Sequence, residues 1–334
     1  MVGAEVAPGE KTMRAIVQEG SGSADALILR EIARPVVSEG RVLVRVRAAS
    51  VNALDWHTVH GGLVLSLASA LMRQKDEPVR GVDVAGVVEA VGPGVTRFAP
   101  GDEVFGNAPA SFAEYALARE DKLAPKPRNA SFEQAASVGV AGRTALQGLR
   151  DHGQVKPGQR VLVNGAGGGV GTFAVQIAKA LGAHVTAVTS TRNLEMVGSL
   201  GADEVIDYNK EDFGRRGARY DAIFDVAANR SLSDLRRVLA PNGTLVLVGA
   251  SKRGSLSIFG RIGAALVRSR VLKQRIVFFM ADANQKDLVV LKDLIEAGKI
   301  CPAIDRVYPL SEGAEAVRYV GTGEARAKVV ITMD

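Results

Sequence analysis

The sequence predicts an α/β protein with a β-rich domain and a doubly wound parallel-sheet domain. The chain has 334 residues, a length that suits about two domains. Residues 13–124 contain mostly short apolar runs closed by Gly and Pro turns, whereas strands and helices alternate further along. We therefore predict a flexible extension at 1–12, a β-rich domain at 13–134 that 281–334 completes, and a doubly wound domain at 135–280.

The β-rich domain is predicted from alternating polarity. "MRAIVQEG" and "RVLVRVRAASV" alternate apolar and polar residues, as half-buried strands do. "GVDVAGVVEAVG", "GDEVFG" and "ASFAEYALAR" add short strands, and their regular turn spacing indicates a rolled or barrel-like sheet. "KDLVVLKDLIEAG" and "EGAEAVRYV" are amphipathic helices, and "AKVVITM" is a last strand that this sheet can accept.

The doubly wound domain is predicted from alternating segments. "SFEQAASVGVAGRTALQGL" is helical and opens at Ser131 with Glu133 just inside. "RVLVNG" is a strand, and "GVGTFAVQIAKALG" is a helix that Gly182 ends. "EVIDY", "YDAIFDVA" and "TLVLVGA" are continuous apolar strands of the kind that a parallel sheet buries on both faces.

Composition excludes several classes of protein. Hydrophobic residues make up 47% and charged residues 23%, which is ordinary for a globular protein. Cys301 is the single cysteine, which rules out an intramolecular disulfide framework and a multi-cysteine zinc site. The N-terminus shows no apolar signal core, and no long apolar run predicts a membrane span. We expect a cytoplasmic protein with no nucleic-acid partner.

A glycine-rich turn carries the strongest functional signal. In "RVLVNGAGGGVG", Gly168 and Gly171 match the last two glycines of G-x-G-x-x-G, and Ala166 replaces the first. A side chain at the second glycine would obstruct a pyrophosphate, and one at the third would push the helix off the strand. The turn lies between a strand and a helix, so we predict a dinucleotide site formed by residues Ala166, Gly167, Gly168, Gly169, Val170 and Gly171.

The end of the next strand indicates the type of dinucleotide. An Asp or Glu at this point binds the ribose 2′-hydroxyl in NAD sites, but the segment here contains Ser190, Thr191 and Arg192. An arginine can bind a 2′-phosphate through charge-assisted hydrogen bonds. We predict NADP(H) as the cofactor. The alternative is that Arg192 is only a solvated residue at a helix start.

These motifs resemble a medium-chain dehydrogenase/reductase, specifically the zinc-free quinone oxidoreductase group. The resemblance extends from about Met13 to the end and rests on "AASVNALDW", "GVDVAGVVEAVGPGVTRFAPGDEVFG", "NGAGGGVGTFAVQIAKALGAHVTAVTSTRN", "LGADEVIDY" and "AKVVIT". It implies a GroES-like catalytic domain, split in sequence around a Rossmann domain, with the cofactor in the cleft between them. It also implies a homodimer.

The resemblance assigns roles to further residues. Asn52 and Asp55 would lie near the nicotinamide, where Asn52 orients the ring or binds a developing oxyanion. Lys328 would reach the adenosine end. The remaining implied cofactor contacts are Thr144 at the domain junction, Tyr208 near the adenosine phosphate, and Val248, Gly249, Ala250, Phe278, Phe279 and Met280 around the nicotinamide.

The same comparison argues against a metal. Zinc-dependent relatives have a cysteine in place of Asn52 and a histidine in place of Val82, and a catalytic zinc needs three good protein ligands. Asp55, His57 and His60 are close in sequence, but only 57 and 60 share a helix face. We predict no metal site. The two histidines are either solvated or one of them faces the substrate as a proton donor, with solvent as the other donor.

The expected activity is hydride transfer from NADPH to a small lipophilic quinone or α,β-unsaturated carbonyl compound, an enone or alkenal. The apolar stretch 61–78 and the basic stretch 251–275 would flank the substrate entrance, and the basic stretch could also touch an anionic membrane. A helix packed on the domain or at a subunit interface is the alternative for these stretches. The alternatives for function are a zinc-independent alcohol dehydrogenase or carbonyl reductase, a narrow biosynthetic enone reductase, and a non-enzymatic NADPH-binding membrane-associated or structural protein.

Overall fold

The structure of the chain is a computed structural model that describes residues 11–20, 22–60, 79–248 and 273–333. The chain divides into two compact units. Unit 1 comprises Met1–Val140, Ala283–Glu296 and Pro302–Asp334, and unit 2 comprises Ala141–Asp282 and Ala297–Cys301. The predicted stretch 61–78, residues 251–272 of the predicted basic stretch 251–275, the residues Gly249 and Ala250, and most of the predicted N-terminal extension lie outside the described residues.

One short segment near the end of the chain packs with unit 2. Ala297–Cys301 belongs to unit 2, whereas the prediction assigned everything after 280 to the first domain. Two hydrogen bonds from one side-chain amide connect this segment to the helix Gly169–Ala180. The side chain of Gln176 donates to the carbonyl of Cys301 at 3.1 Å and accepts from its N–H at 2.7 Å.

Unit 1 is built on two sheets. Its strands β1 to β7, in chain order, are Thr12–Gln18, Leu27–Ala33, Arg41–Val51, Asp83–Val91, Glu103–Asn107, Tyr115–Arg119 and Leu123–Pro125. The last two strands of the chain, β14 and β15, are Ile304–Pro309 and Lys328–Thr332. The strands β1 and β2 form an antiparallel pair, and the larger sheet has the order β14-β15-β3-β4-β5-β7, with β6 also paired to β3.

The strand β3 is central to this unit because it pairs with β15, β4 and β6. Its neighbour β15 runs antiparallel to it, with Val329 opposite Val51, so the predicted return of the last strand to the first sheet is confirmed. The apolar side chains of these strands form one core, which includes Val42, Val44, Val46, Val84, Val104, Phe112, Val329 and Ile331.

Unit 2 contains one parallel sheet. Its strands β8 to β13 are Arg160–Asn164, His184–Thr189, Glu204–Asp207, Tyr220–Asp225, Leu239–Leu247 and Arg275–Phe278. They lie in the order β10-β9-β8-β11-β12-β13, and every neighbouring pair is parallel. From β8 the chain adds strands first on one side, β9 and β10, and then on the other, β11 to β13. The position between β8 and β11 is therefore the topological switch point, where doubly wound sheets bind ligands.

The described helices agree in type with the predicted ones. In chain order α1 to α8 are Ala53–His60, Phe132–Ala136, Gly139–Leu146, Gly169–Ala180, Leu194–Ser199, Leu232–Val238, Gln285–Glu296 and Gly313–Thr322. A π-helical segment, Gln147–His152, follows α3 directly. Within the described ranges, no helix combines the length and the apolar character that a bilayer crossing requires.

Two helix ends show how the local sequence sets the bounds. Ser131 begins α2 with a capping box, in which its hydroxyl accepts from Gln134 N–H and the Gln134 side chain accepts from Ser131 N–H. The reciprocal partner is therefore Gln134 rather than its neighbour Glu133. After α4, Gly182 adopts φ 82°, a left-handed conformation that favours glycine and stops the helix.

Candidate functional site

The glycine-rich turn connects β8 to α4 at the carboxyl edge of the parallel sheet. Gly165 makes the turn at φ 94°. Gly168 is the N-cap residue of α4 and has no side chain to cap it, and the carbonyl of Gly168 accepts from Thr172 N–H at 2.9 Å. The first turn of α4 is therefore not capped by a side chain from its N-cap residue, so its N–H groups and positive dipole end suit an anionic group.

The two motif glycines have opposite surroundings. A Cβ placed on Gly171 would overlap the carbonyl oxygen of Gly165 and lie 2.8 Å from the Cα of Ala166. A Cβ placed on Gly168 would find its nearest neighbour, the Gly165 carbonyl oxygen, at 3.8 Å. Gly171 is thus required by packing within the protein, whereas Gly168 leaves open space at the helix start, where a pyrophosphate would fit.

Sequence reasoning missed a polar cluster at the switch point. Asn164 ends β8 and Asp225 ends β11, and both are buried. The Asn164 amide donates to Asp225 Oδ1 at 2.8 Å and to Asn229 Oδ1 at 2.9 Å, and Ala228 N–H donates to the same Asp225 oxygen at 3.1 Å. The signal was available, since each residue is the polar end of an otherwise apolar strand.

The end of β10 contains an acid that sequence reasoning overlooked. This residue, Asp207, lies opposite Thr189, the last residue of the neighbouring strand β9. Its carboxylate accepts from Thr191 Oγ1 at 2.6 Å and from Asn209 N–H at 3.0 Å, and the Thr191 hydrogen bond lowers the pKa of Asp207. The segment after β9 lacks an acid, as the sequence analysis states, but the neighbouring strand supplies this carboxylate, which is held by its own neighbours. Arg192 is exposed beside it.

The other predicted residues of unit 2 lie at the carboxyl edge or in its surroundings. Ala166 is buried, Tyr208 is 48% exposed, and Ser190 accepts from the amide of Asn193 at 3.2 Å. Val248 N–H donates to Asp225 O at 2.9 Å, and Thr144 is buried in α3. The last three predicted residues, Phe278, Phe279 and Met280, lie at the end of β13 and directly after it. The ring of Phe279 stacks on that of His152 with centroids 4.3 Å apart, and Phe278 and Met280 are exposed. Their contacts with a cofactor stay predictions.

Unit 1 contains a buried polar cluster, which we define as Ser50, Asn52, Asp83, Asn107 and Lys328. Ser50, Asp83 and Asn107 lie directly opposite one another across β3, β4 and β5. The Asp83 carboxylate is fully buried and accepts four hydrogen bonds. Its donors are Ser50 Oγ at 3.0 Å, Asn52 Nδ2 at 2.9 Å, Asn107 Nδ2 at 2.8 Å and Val140 N at 2.9 Å.

Lys328 brings a positive charge to this polar cluster. Its Nζ donates to Asn52 Oδ1 at 2.7 Å and to Val51 O at 3.3 Å, and lies 3.8 Å from Asp83 Oδ2. Burial lowers the pKa of Lys328, while Asp83 and Asp55 oppose that change. The resemblance implies that Lys328 reaches the adenosine end and Asn52 the nicotinamide end of one cofactor. The two side chains touch in the structure, and the cofactor contacts of both residues stay predictions.

Asp55 lies in the first turn of α1 and is 4% exposed. Its Oδ2 accepts from Asn52 N–H at 2.7 Å. Burial raises the pKa of Asp55 to about 7, because removing a carboxylate from water disfavours the charged form. The hydrogen bond from Asn52 and the charge of Lys328 lower the pKa, and the charge of Asp83 raises it. Asp55 therefore carries a proton in a substantial part of the molecules at neutral pH.

The two histidines of α1 differ in their surroundings. His60 stacks on Trp56 with ring centroids 4.3 Å apart, and its Nδ1 lies 2.9 Å from the carbonyl oxygen of Trp56. A carbonyl only accepts, so Nδ1 of His60 carries the hydrogen and the ring is held in place. His57 is half-buried, and burial followed by the charge of His60 lowers its pKa. His60 is thus a structural residue, and His57 favours the neutral form.

No group of three histidine, cysteine, aspartate or glutamate side chains suited to a metal ion is found within the described parts of the chain. The absence of a metal stays a prediction, based on Asn52 and Val82 as replacements for zinc ligands.

The comparisons with known proteins identify both halves of the fold. The sequence profile of the alcohol dehydrogenase GroES-like domain matches residues 38–128, and that of a zinc-binding dehydrogenase matches residues 200–331. Among solved structures, the quinone oxidoreductase from Coxiella burnetii is 32% identical and superposes with a TM-score of 0.85 over 97% of this chain and 100% of that chain.

Curated relatives extend the match over almost the whole sequence. A chloroplastic quinone oxidoreductase of Triphysaria versicolor is 32% identical over 96% of this chain and 98% of its own. A chloroplastic NADPH-dependent alkenal/one oxidoreductase of Arabidopsis thaliana is 33% identical over 96% of this chain and 80% of its own. These names contradict the expected cytoplasmic location, which rested on the lack of a visible secretory signal. The extent of the matches shows that the chain is an oxidoreductase of the medium-chain dehydrogenase/reductase superfamily and belongs to its quinone oxidoreductase group.

Proposed function

We propose that the protein is an NADPH-dependent reductase that uses no metal and acts on a small lipophilic quinone or α,β-unsaturated carbonyl compound. The observation that carries this proposal is the open space at Gly168, at the start of α4, with Arg192 exposed near the end of β9. Relatives are named for quinone and for alkenal or enone reduction, which supports the substrate class.

The glycine-rich turn and Arg192 of unit 2 support NADP(H) as the cofactor. The start of α4 would bind the pyrophosphate through N–H groups, and Gly168 would let the backbone approach it. Arg192 would bind the 2′-phosphate, since a guanidinium offers several donors and a permanent positive charge. When bound, the reduced nicotinamide supplies a hydride. The protein contributes binding, orientation and electrostatic stabilisation around it.

We expect Arg192→Ala to weaken NADPH binding by roughly tenfold or more, because a charge-assisted hydrogen bond contributes about 1.5–3 kcal/mol. NADH binding should stay within about twofold, since NADH has no 2′-phosphate. Titration of nicotinamide fluorescence gives both dissociation constants. Arg215→Ala, at a side chain in the same unit that is 88% exposed, serves as the matched control. An equal loss of affinity for NADPH and NADH would show that Arg192 does not bind the 2′-phosphate.

The substrate class is tested by NADPH oxidation against a panel of quinones, enones, alkenals, aldehydes and ketones. We expect turnover with quinones or conjugated carbonyls and none with simple ketones. Turnover of simple aldehydes or ketones alone would instead favour the carbonyl reductase alternative. A silent panel together with intact NADPH binding would favour a non-enzymatic role. The expected homodimer stays a prediction that sedimentation velocity tests.

A further inference from the structure

A pocket in unit 1 lies beside Asp55. Two of its polar side chains come from α1, Asp55 and Thr58, and a third, Arg80, comes from the segment before β4. Its other lining residues are Leu54, Val79, Gly81, Val82, Pro109 and Ala110. The walls are therefore mostly apolar, with a few polar groups, and the cavity volume of about 20 Å³ suits a single small group such as one oxygen atom.

The polar groups of this pocket favour an oxygen acceptor as the ligand. Arg80 is half-buried, and its Nε donates to Gln18 Oε1 at 2.6 Å, which fixes the guanidinium at one edge. Asp55 acts on Arg80 electrostatically and raises its pKa, while burial lowers it more strongly. Thr58 donates its own hydrogen to Leu54 O at 2.8 Å. The pocket thus offers a guanidinium and a carboxylic acid as donors, and a carbonyl oxygen complements both.

Asp55 links the pocket to Asn52. Asp55 lines the pocket and its carboxyl accepts from Asn52 N–H, and Asn52 is the residue that the resemblance predicts beside the nicotinamide. The charged groups that face Asp55 are Asp83 and Lys328 from the polar cluster and Arg80 from the pocket wall. A carboxyl that is protonated near neutral pH is suited to general acid catalysis.

We propose that this pocket receives the carbonyl oxygen of the substrate and that Asp55 is the catalytic acid that protonates it. The inference rests on the proposed function. A bound reduced nicotinamide would supply a hydride to the conjugated substrate, and the displaced electron pair would move to the carbonyl oxygen beside Arg80. The O–H bond of Asp55 breaks as a new O–H bond forms on the substrate. An enol or hydroquinone results, the cofactor is oxidised, and solvent returns a proton to the Asp55 carboxylate.

The two histidines of α1 are less suited than Asp55 to donate the proton, because of where they lie. His57 and His60 are not among the residues that line the pocket. His60 is held by Trp56, and burial keeps His57 largely neutral. The acid therefore comes from the residue that touches the pocket directly.

The test compares wild type with Asp55→Asn, which keeps the size of the side chain and removes the acid. For wild type we expect kcat to fall as the pH rises through about 7, since only the protonated carboxyl donates. Asp55→Asn should lower kcat roughly 100-fold and abolish this pH dependence, with NADPH affinity unchanged. Asp293→Asn, an exposed aspartate of the same unit, is the matched control and should behave as wild type.

Two further measurements do not depend on the folding or activity of Asp55→Asn. Infrared difference spectra of the cofactor-free wild type should show a carboxylic acid band that is lost on titration through about pH 7. Arg80→Gln should raise KM for the carbonyl substrate at least tenfold while NADPH affinity holds. A wild-type pH profile that is flat between pH 5 and 9, or an Asp55→Asn profile identical to it, would overturn the role of Asp55. A silent substrate panel would overturn the proposed function and this inference with it.

Discussion

Gly168→Ala is expected to fold normally and to lose most of its affinity for NADPH. Gly168 has φ −92° and ψ 174°, which an alanine adopts without strain, and the added methyl would meet nothing closer than 3.8 Å within the protein. The methyl would instead fill the space at the start of α4. We expect the stability to change by less than about 1 kcal/mol, the usual cost of alanine at an N-cap, and NADPH binding to weaken at least roughly tenfold.

Gly171→Ala should show the reverse pattern. Its methyl would overlap the backbone of Gly165 and Ala166, which cannot move without shifting α4 against β8. We expect a loss of stability of about 1–3 kcal/mol, typical of an overpacked interior. Thermal unfolding and fluorescence titration of NADPH separate the two effects.

Gly198→Ala provides the matched control, because its methyl would meet no atom within 4 Å. We expect it to retain both stability and NADPH binding. Wild-type NADPH affinity in Gly168→Ala would show that the pyrophosphate does not pass over this glycine, and the cofactor assignment of the turn would fail.

The contrast between the two glycines shows what sequence could establish. The turn, the strand before it and the helix after it are contiguous, so local patterns specified them and the parallel sheet followed. The spacing of Gly168 and Gly171 also predicted their distinct roles. What local patterns could not show is which polar strand ends become neighbours. Asn164 and Asp225 meet only because β8 and β11 lie side by side at the switch point.

The polar cluster of unit 1 was hidden for the same reason. Ser50, Asp83 and Asn107 form one row only when β3, β4 and β5 pair in this register, and a slip of one residue would turn each side chain to the other face. Asn52 was found because it replaces a known ligand in related enzymes. The contact between Lys328 and Asn52 could not be predicted, since no pattern in the segment of Lys328 shows that β15 places its amine against Asn52.

Lys328→Met is expected to destabilise the protein by about 3–5 kcal/mol, the usual result of removing one partner of a buried charge pair. It would leave the buried Asp83 carboxylate without a countercharge and Asn52 Oδ1 without its donor. The double variant Lys328→Met with Asp83→Asn removes both charges and should recover at least half of the loss. Urea unfolding of the two single variants and the double variant gives the interaction energy directly.

A surface pair shows why burial decides the size of this effect. Lys179 lies 2.7 Å from Asp203, closer than Lys328 lies to Asp83, but its side chain is 34% exposed. Lys179→Met should therefore cost less than about 1 kcal/mol, since water solvates the remaining carboxylate. If Lys328→Met cost equally little, the four neutral donors around Asp83 would be sufficient to stabilise its charge. The ammonium would then be dispensable for stability, and its remaining role would be to hold the amide of Asn52 through the 2.7 Å hydrogen bond.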